Sequence, residues 1–168
     1  MAKPPFSHYP DIGELGEDLV AQWLQSRGWT ILHRRFCSRW GEIDIIAQFQ
    51  EQQLGSEGGL FVDQLPQLAF VEVKTRSPRS WDAGGKSAIT PQKQAKIWRT
   101  AKIFLAEYPH KADWPCRFDV AIVHRQQISE QRTGMTLTSE PLASLSADGY
   151  QFYLQEYLRA AFDCSADG

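Results

Sequence analysis

The chain has 168 residues, a length that suits one domain with a sizeable hydrophobic core. Its formal net charge of −2 argues against indiscriminate binding to polyanions, and no apolar run approaches the ~18 residues that a membrane span requires. Cys37, Cys116 and Cys164 form neither an even set nor a CxxC pair, and the start of the chain carries no apolar signal segment, so we expect a cytoplasmic protein without disulfides or zinc.

The first predicted element is a helix over about residues 12–27, preceded by a flexible segment over 1–11. An apolar stripe of leucine, valine and tryptophan shares one face of this helix with Gly13 and Gly16. Glycines on the apolar side indicate close packing against a sheet. Glu17 falls on the border of that face, from where its side chain would lean over the sheet.

Strands are predicted over residues 29–36, 42–48 and 68–75. In the last two, apolar and polar side chains alternate, and residues two apart in a strand project from the same face. The apolar set expected to point into a core is Ile43, Ile45, Val71 and Val73. The polar set expected on the opposite side is Glu42, Asp44, Glu72 and Lys74.

Two carboxylates and an ammonium on one sheet face are enough to hold a hard divalent cation. Magnesium takes oxygen ligands at about 2.0–2.1 Å and usually keeps several waters, so Asp44 and Glu72 would suffice, with the carbonyl of Val73 as a third ligand. Such a metal lowers the pKa of a bound water, and Lys74 would orient or deprotonate that water or neutralise developing charge. The alternative is a solvated sheet face with a weak ion pair.

Two long connections flank the third of these strands. The segment over residues 49–67 is too long for a simple turn and predicts either an extended hairpin or a flap. The loop over 77–89 joins the strand of Glu72 to the next helix, a place from which loops often bind substrate. Trp81 in this loop would either stack on an unpaired base or pack as a hydrophobic anchor.

A second helix is predicted over residues 91–108, with Thr90 as its N-cap and Pro91 as its first residue. Lys93 and Gln94 would lie near its N-terminus, where anions bind readily. Between residues 74 and 111 nine Lys/Arg stand against two acids, which indicates one cationic face. The residues expected to contact a phosphate backbone are Arg34, Arg35, Arg39, Arg76, Lys93 and Lys96.

The remaining predicted elements are a strand over residues 117–124 and a last strand near 150–155 with a short helical end, separated by a loop. Asp119 alternates like a strand residue, and we interpret it as structural, in partnership with a base.

Six motifs are specific when they are taken together. They are Gly13-Glu14-Leu15-Gly16-Glu17-Asp18, Gly28-Trp29, Gly41-Glu42-Ile43-Asp44, Phe70-Val71-Glu72-Val73-Lys74-Thr75-Arg76, Thr90-Pro91-Gln92-Lys93-Gln94 and Arg117-Phe118-Asp119-Val120. In this combination the chain resembles the YraN family of bacterial proteins. That family looks like a branch of the PD-(D/E)XK nuclease-like superfamily, with relatives among restriction enzymes and Holliday-junction resolvases.

The resemblance implies an α/β fold with a restriction-endonuclease-like α-β-β-β-α-β core, a central mixed sheet flanked by helices, and a single nuclease-like domain over residues 1–168. It assigns the two acids of the metal site to Asp44 and Glu72, and the catalytic lysine to Lys74. Glu17 matches the acid that the first helix contributes in many relatives. Gln94 matches a helix glutamine found near the site in resolvase-like branches.

Three functions from different classes follow as hypotheses. The first is a Mg- or Mn-dependent endonuclease that hydrolyses structured or branched DNA, for which two nicks in one substrate would favour a homodimer. The second is a nucleic-acid-binding module with the same fold that cleaves nothing. The third is a protein-interaction module that acts through the long segment over residues 49–67 or through the acidic tail, since two bases stand against six acids from Gln126 to the end.

Overall fold

The computed structural model describes residues 11–51, 53–54, 60–61, 65–78, 89–129 and 139–163. The elements follow in the order α1 (Ile12–Ser26), β1 (Thr30–Ser38), β2 (Gly41–Phe49), β3 (Gln53–Leu54), β4 (Leu60–Phe61), β5 (Gln67–Arg76), α2 (Pro91–Glu107), β6 (Cys116–Gln127), β7 (Ala143–Ala147) and β8 (Tyr150–Phe162). No helix in this part of the chain is long and apolar enough to cross a membrane. Trp81 and the first ten residues lie outside the described residues.

Six strands form one mixed sheet in the order β1-β2-β5-β6-β8-β7, in which β5 and β6 are parallel and the other neighbours antiparallel. The predicted α/β class and the α-β-β-β-α-β order of the core are confirmed, with β1, β2 and β5 as the three consecutive strands of the sheet. Within the 49–67 segment, β3 and β4 pair as a separate antiparallel ladder. The parallel step from β5 to β6 is made through α2, the crossover that parallel strands need.

The helix α1 begins after Asp11 and stops before Gly28, whose φ of 88° lies in the left-handed region that favours glycine at a helix end. Gly16 packs against β5 as predicted, because a Cβ at this position would overlap Thr75 Oγ1. Gly13 has no such contact with the sheet, and the atom nearest to a Cβ there is an Asp11 oxygen at 3.8 Å. The prediction of close packing is therefore right for one of the two glycines.

The helix α2 begins as its sequence predicts. The Thr90 side chain accepts a hydrogen bond of 3.2 Å from the backbone amide of Lys93, and Pro91 occupies the first helical position, where its missing N–H costs nothing. Its buried face carries Ile97, Ala101 and Phe104. This cap fixes the residue at which the helix begins. It therefore also fixes the side of the helix on which the lysines of the first two turns lie.

The two helices cover opposite faces of the sheet. On the α1 face, Leu19 and Leu24 pack in one cluster with Ile45 and Val71. On the α2 face, Phe104 packs in a second cluster with residues that include Ile43, Phe70 and Phe118. Each fully buried aliphatic or aromatic side chain contributes about 1.5–3 kcal/mol. Because both faces are covered, β5 is a continuous buried run from Leu68 to Glu72.

The prediction that Ile43 and Ile45 share a face is wrong. Ile43 belongs to the α2 cluster and Ile45 to the α1 cluster, although both are buried. Pairing between β2 and β5 ends at Ile45, and β1 enters the left-handed region at Arg35 (φ 51°), between the partners of these two isoleucines. Regular alternation fails there, at the position of Asp44.

The predicted loop and short helical end near the C-terminus are also wrong. Ala143–Ala147 forms β7, and β8 continues as a strand to Phe162. β7 pairs with β8 only over Tyr150–Leu154, whereas pairing with β6 continues to Phe162 and holds the rest of the strand extended. Asp119 on β6 is fully buried and accepts hydrogen bonds from Tyr157 and Ala160, and its predicted partnership with a base is confirmed by Arg117 Nε at 3.0 Å.

Candidate active site

A fork between β2 and β5 forms the centre of the site. The two strands pair from Phe49 and Gln67 up to Ile45 and Val71, and beyond that point they separate. Asp44 is the first residue of β2 past the paired region, and its Oδ2 accepts a hydrogen bond of 2.7 Å from the Val73 amide. A side-chain acceptor thus replaces a ladder bond and holds the carboxylate in the fork.

The carbonyl of Val73 has the orientation that its predicted ligand role needs. In an extended strand the N–H and C=O groups of one residue point to the same side. Because the Val73 N–H points at Asp44, its carbonyl is directed to the same side of β5. Asp44 and the Val73 carbonyl therefore border the same space.

The first helix brings a third acid to the fork. Glu17 is 7% exposed, and carboxylate oxygens of Glu17, Glu42 and Asp44 all lie within 4.8 Å of one another. Gly16, one residue earlier, lets α1 approach β5 closely enough for this. Arg35 Nε lies 2.9 Å from Glu17 Oε2, so this carboxylate has a cationic partner from β1.

Glu42 is the residue of the site that sequence reasoning missed as a ligand. It lies two residues before Asp44, so the alternating pattern itself put both on the same side. The Cys37 thiol donates a hydrogen bond of 3.1 Å to Glu42 Oε2, and this bond raises the pKa of the thiol. Cys37 therefore stays protonated and helps to orient the carboxylate.

Glu72 projects from β5 and is 5% exposed. Its Oε1 lies 3.2 Å from Lys74 Nζ and 3.4 Å from Lys93 Nζ, which comes from α2. Its Oε2 is buried and has no hydrogen-bond partner among the described residues. A buried carboxylate oxygen without a partner is costly, and a cation bound beside it would remove that cost.

Electrostatics at the fork also fit a divalent cation. Burial, and after it the negative charge of Glu72, raise the pKa of Asp44 to about 7, while the hydrogen bond from Val73 acts in the opposite direction. Crowded carboxylate oxygens are the donor set that magnesium or manganese prefers. The predicted ligands Glu17, Asp44, Glu72 and the Val73 carbonyl thus lie around one fork, with Glu42 added.

Gln94 has a different environment. Its side-chain amide donates a hydrogen bond of 3.2 Å to the carbonyl of Ile89, and the residue lines a cavity of about 360 Å³ beside β6 and β8. In the described part of the chain, no hydrogen bond joins Gln94 to an acid of the fork. Its catalytic role stays a prediction.

The predicted phosphate-binding residues fall into three groups. Arg34, Arg35 and Lys93 form ion pairs with acids at or beside the fork. Arg39 and Lys96 are exposed, and Arg39 stacks on Trp40 at the turn between β1 and β2. Arg76 is half-buried near the end of β5. Contact with nucleic acid stays a prediction for all six.

Comparison with known proteins finds one family throughout. The model of the family described as "Uncharacterised protein family UPF0102" matches residues 16–123, a span that holds every acid of the fork. A UPF0102 protein of Trichormus variabilis is 57% identical over 157 residues, which cover 94% of this chain and 97% of that protein. UPF0102 proteins of Nostoc sp. (57% identical, 92% and 95% covered) and Trichodesmium erythraeum (43% identical, 90% and 88% covered) are also similar.

Proposed function

This chain belongs to the UPF0102 family, which corresponds to the YraN family, and because that name states no activity we propose a function from the fork itself: a Mg- or Mn-dependent endonuclease acting on structured or branched DNA. The observation that carries the proposal is the group of three carboxylates, Glu17 of α1 with Glu42 and Asp44 of β2, beside Glu72 of β5, whose charge helps to raise the pKa of Asp44. It is supported further by the unpartnered oxygen of Glu72 beside Lys74. An ordinary surface ion pair does not bury an acid in this way.

The residues of the fork would divide the work as follows. The cation would be held by the predicted ligands Asp44, Glu72, the Val73 carbonyl and Glu17, and by Glu42. A divalent cation bound there supplies Lewis-acid chemistry, lowering the pKa of water and stabilising negative charge on a phosphate. The Nζ of Lys74 lies 3.2 Å from Glu72 Oε1, from where the ammonium would orient the attacking water; it would accept the proton of that water only after giving its own proton to solvent.

The reaction proposed is hydrolysis of a phosphodiester. The oxygen of water bonds to phosphorus in line with the leaving oxygen, the P–O ester bond to that oxygen breaks, and the products are a phosphate monoester and an alcohol. Positively charged side chains around the fork would position the backbone without reading sequence. The preference for structured or branched DNA comes from the resemblance to resolvase-like nucleases.

A second candidate, a DNA-binding protein of the same fold that cleaves nothing, is favoured by one observation. Glu17 and Glu72 already have cationic partners, Arg35 and Lys93, which offset part of the acidic charge without any metal. The two candidates differ in whether a divalent cation binds at the fork. Among the residues that the structure describes, no contact specifically favours a protein-interaction role.

The test is a cleavage assay on duplex, flap and four-way DNA with Mg²⁺ or Mn²⁺, together with titration of Mn²⁺ into the protein. Glu72→Gln and Lys74→Ala should each abolish cleavage while leaving DNA binding largely unchanged, and Glu72→Gln should also weaken Mn²⁺ binding. Glu107→Gln, an exposed acid at the far end of α2, is the matched control. Cleavage that survives both changes would contradict the assigned roles, and wild-type protein that binds DNA but no Mn²⁺ would favour the second candidate.

A further inference from the structure

An exposed tryptophan stands at the tip of the hairpin that leads into the fork. Trp40 occupies the turn between β1 and β2 and is 37% exposed. The guanidinium carbons of Arg39 and Arg99 lie 4.7 Å and 4.6 Å from the centre of its ring. The exposed indole is therefore in contact with two cations.

The turn that carries Trp40 is fixed to α2. The Trp40 amide donates a hydrogen bond of 3.0 Å to Ser38 Oγ, and that hydroxyl is 2.8 Å from the hydroxyl of Thr100, a fully buried residue of α2. On the other side of the turn, a Cβ placed on Gly41 would lie 3.7 Å from the Cβ of Lys96. Because these contacts hold its backbone, Trp40 is preorganised for binding.

A row of cations connects this tryptophan to the fork. Lys93, Lys96 and Arg99 are spaced three residues apart on α2, so they are neighbours along one stripe of the helix. One end of the row is Lys93, 3.4 Å from Glu72. The other end is Arg99, in contact with Trp40. The stripe is complementary to a phosphate backbone that runs from the fork to the aromatic ring.

We propose that Trp40 stacks on an unpaired base of single-stranded DNA while Arg39, Lys96 and Arg99 bind the phosphates beside it. This inference rests on the proposed action on DNA and adds the form of substrate: a strand with unstacked bases, such as a flap, next to the cleaved phosphodiester. Asp44 follows Trp40 by four residues, and each residue of a strand rises about 3.3 Å, which places the stacked base a few nucleotides from the reaction.

Replacement of a guanidinium by a base on the indole ring should be energetically favourable. An exposed cation–π contact is weaker than the stack of a base on an aromatic side chain, so a base can displace one guanidinium from the indole. The displaced guanidinium stays beside the backbone and gains a phosphate. Because every base has a flat face, this contact selects single strands over duplexes without selecting sequence.

The experiment measures affinity by fluorescence anisotropy in EDTA, with the full-length chain, on three labelled probes: a short oligothymidine, an abasic strand of the same length, and a duplex. Trp40→Ala should weaken oligothymidine binding about tenfold, with Trp40→Phe in between, and change duplex and abasic binding less than about twofold. Trp114→Ala is the matched control, since Lys111 Nζ lies 4.0 Å from its ring at the opposite end of α2.

Several outcomes would overturn the inference. These are equal affinity of wild-type protein for oligothymidine and the abasic strand, an unchanged affinity for oligothymidine in Trp40→Phe and Trp40→Ala, and an equal loss on all three probes. The last two outcomes would mean that Trp40 binds a protein partner or stabilises the fold. Because no metal is present, loss of the nuclease proposal would leave this result standing, and active cleavage with unaltered affinity in the Trp40 variants would reject this inference alone.

Discussion

Asp44 on β2 accepts a hydrogen bond from the backbone amide of Val73 on β5 at the point where the two strands separate. The bond needs only one acceptor oxygen, and an asparagine carbonyl can supply it without the negative charge. The negative charge of Asp44 can therefore be removed by substitution while the hydrogen bond that holds the fork together is kept. This makes the electrostatic state of the fork testable in a protein that keeps its shape.

We expect the metal-free protein to lose stability as pH rises through about 7, and Asp44→Asn to remove that loss. The pKa of Asp44 is raised from 3.8 to about 7 by burial and by Glu72, so folding favours its protonated form. The stability that protonation of Asp44 contributes is complete below about pH 4 and is lost as pH rises through about 7. At about pH 8 Asp44→Asn should be more stable by on the order of 2 kcal/mol, or roughly 4–8 °C in melting midpoint.

Thermal melts in EDTA at about pH 5 and about pH 8 measure this difference. Asp18→Asn is the control, because Asp18 is a partly exposed partner of Arg34 on the same helix as Glu17. A lower midpoint for Asp44→Asn than for wild type at the higher pH would mean that the carboxylate is stabilised in the fork by groups that outweigh its burial.

The sequence was most informative where local chemistry and tertiary structure agree. The alternation of polar and apolar residues placed Asp44, Glu72 and Lys74 on two strands that do become neighbours. The N-cap at Thr90 and the close approach at Gly16 were likewise readable, because each depends on a residue type with one dominant physical role. The α/β core followed from the order of such segments.

The features that the sequence did not predict depend on contacts between residues far apart in the chain, which no local pattern indicates. The opposite faces of Ile43 and Ile45 follow from the end of strand pairing and the left-handed Arg35, which only the assembled sheet reveals. The length of β8 depends on Asp119, far away in sequence, which accepts a hydrogen bond from the Ala160 amide. Trp40 required a view of α2, because Arg99 contacts it across the fold.

Phosphate binding should depend on exposed cations more than on those already paired with acids. Both Arg34 and Lys96 are exposed, but Arg34 lies 2.9 Å from Asp18, whereas no salt bridge to Lys96 is found among the described residues. We expect Lys96→Ala to reduce the slope of log affinity against log salt by about 1, and Arg34→Ala by less than half of that. Binding of a DNA duplex at several salt concentrations gives both slopes.

The exposed Lys102, on the same helix but stacked on Trp98, offers a comparison for Lys96. Lys102→Ala should leave the slope nearly unchanged if DNA follows the row from the fork to Trp40. A larger change for Arg34→Ala than for Lys96→Ala would place the backbone along β1 instead of along α2.

Gly16 should not tolerate alanine, although alanine favours helices by about 1 kcal/mol over glycine. A Cβ there would overlap Thr75 Oγ1, so α1 must move away from β5 or the Thr75 side chain must rotate. We expect Gly16→Ala to destabilise the protein by about 1–3 kcal/mol. Because α1 also carries Glu17, the variant should weaken Mn²⁺ binding as well.

A double-mutant cycle with Thr75 isolates the cause. Thr75→Ala in the Gly16→Ala background should recover most of the lost free energy of unfolding in urea, whereas Thr75→Val, which keeps both branches of the side chain, should not. Equal recovery in both double mutants would assign the effect to the Thr75 hydroxyl's hydrogen bonding and not to its volume.

Asp119 should be the most sensitive polar residue of the fold outside the fork. It is fully buried and accepts hydrogen bonds from Arg117 Nε, the Tyr157 hydroxyl and the Ala160 amide at 3.0, 2.7 and 3.0 Å. Asp119→Ala leaves Arg117 without its partner and should cost about 3–5 kcal/mol. Tyr157→Phe removes one neutral donor and should cost about 1 kcal/mol.

Urea unfolding followed by circular dichroism compares the two variants, and Asp119→Asn replaces Asp119→Ala if the latter does not fold. β8 must bend at Ala160, because this residue adopts a φ of 45°, a conformation that costs a non-glycine residue of order 1 kcal/mol or more. Comparing the free energy lost in the Asp119 variant with that lost in Tyr157→Phe tests whether Asp119 offsets this cost. If Asp119 offsets that cost, Ala160→Gly should recover part of the stability lost in the Asp119 variant. Equal, small losses for Asp119 and Tyr157 would instead mean that strand pairing with β6 alone holds this end of β8.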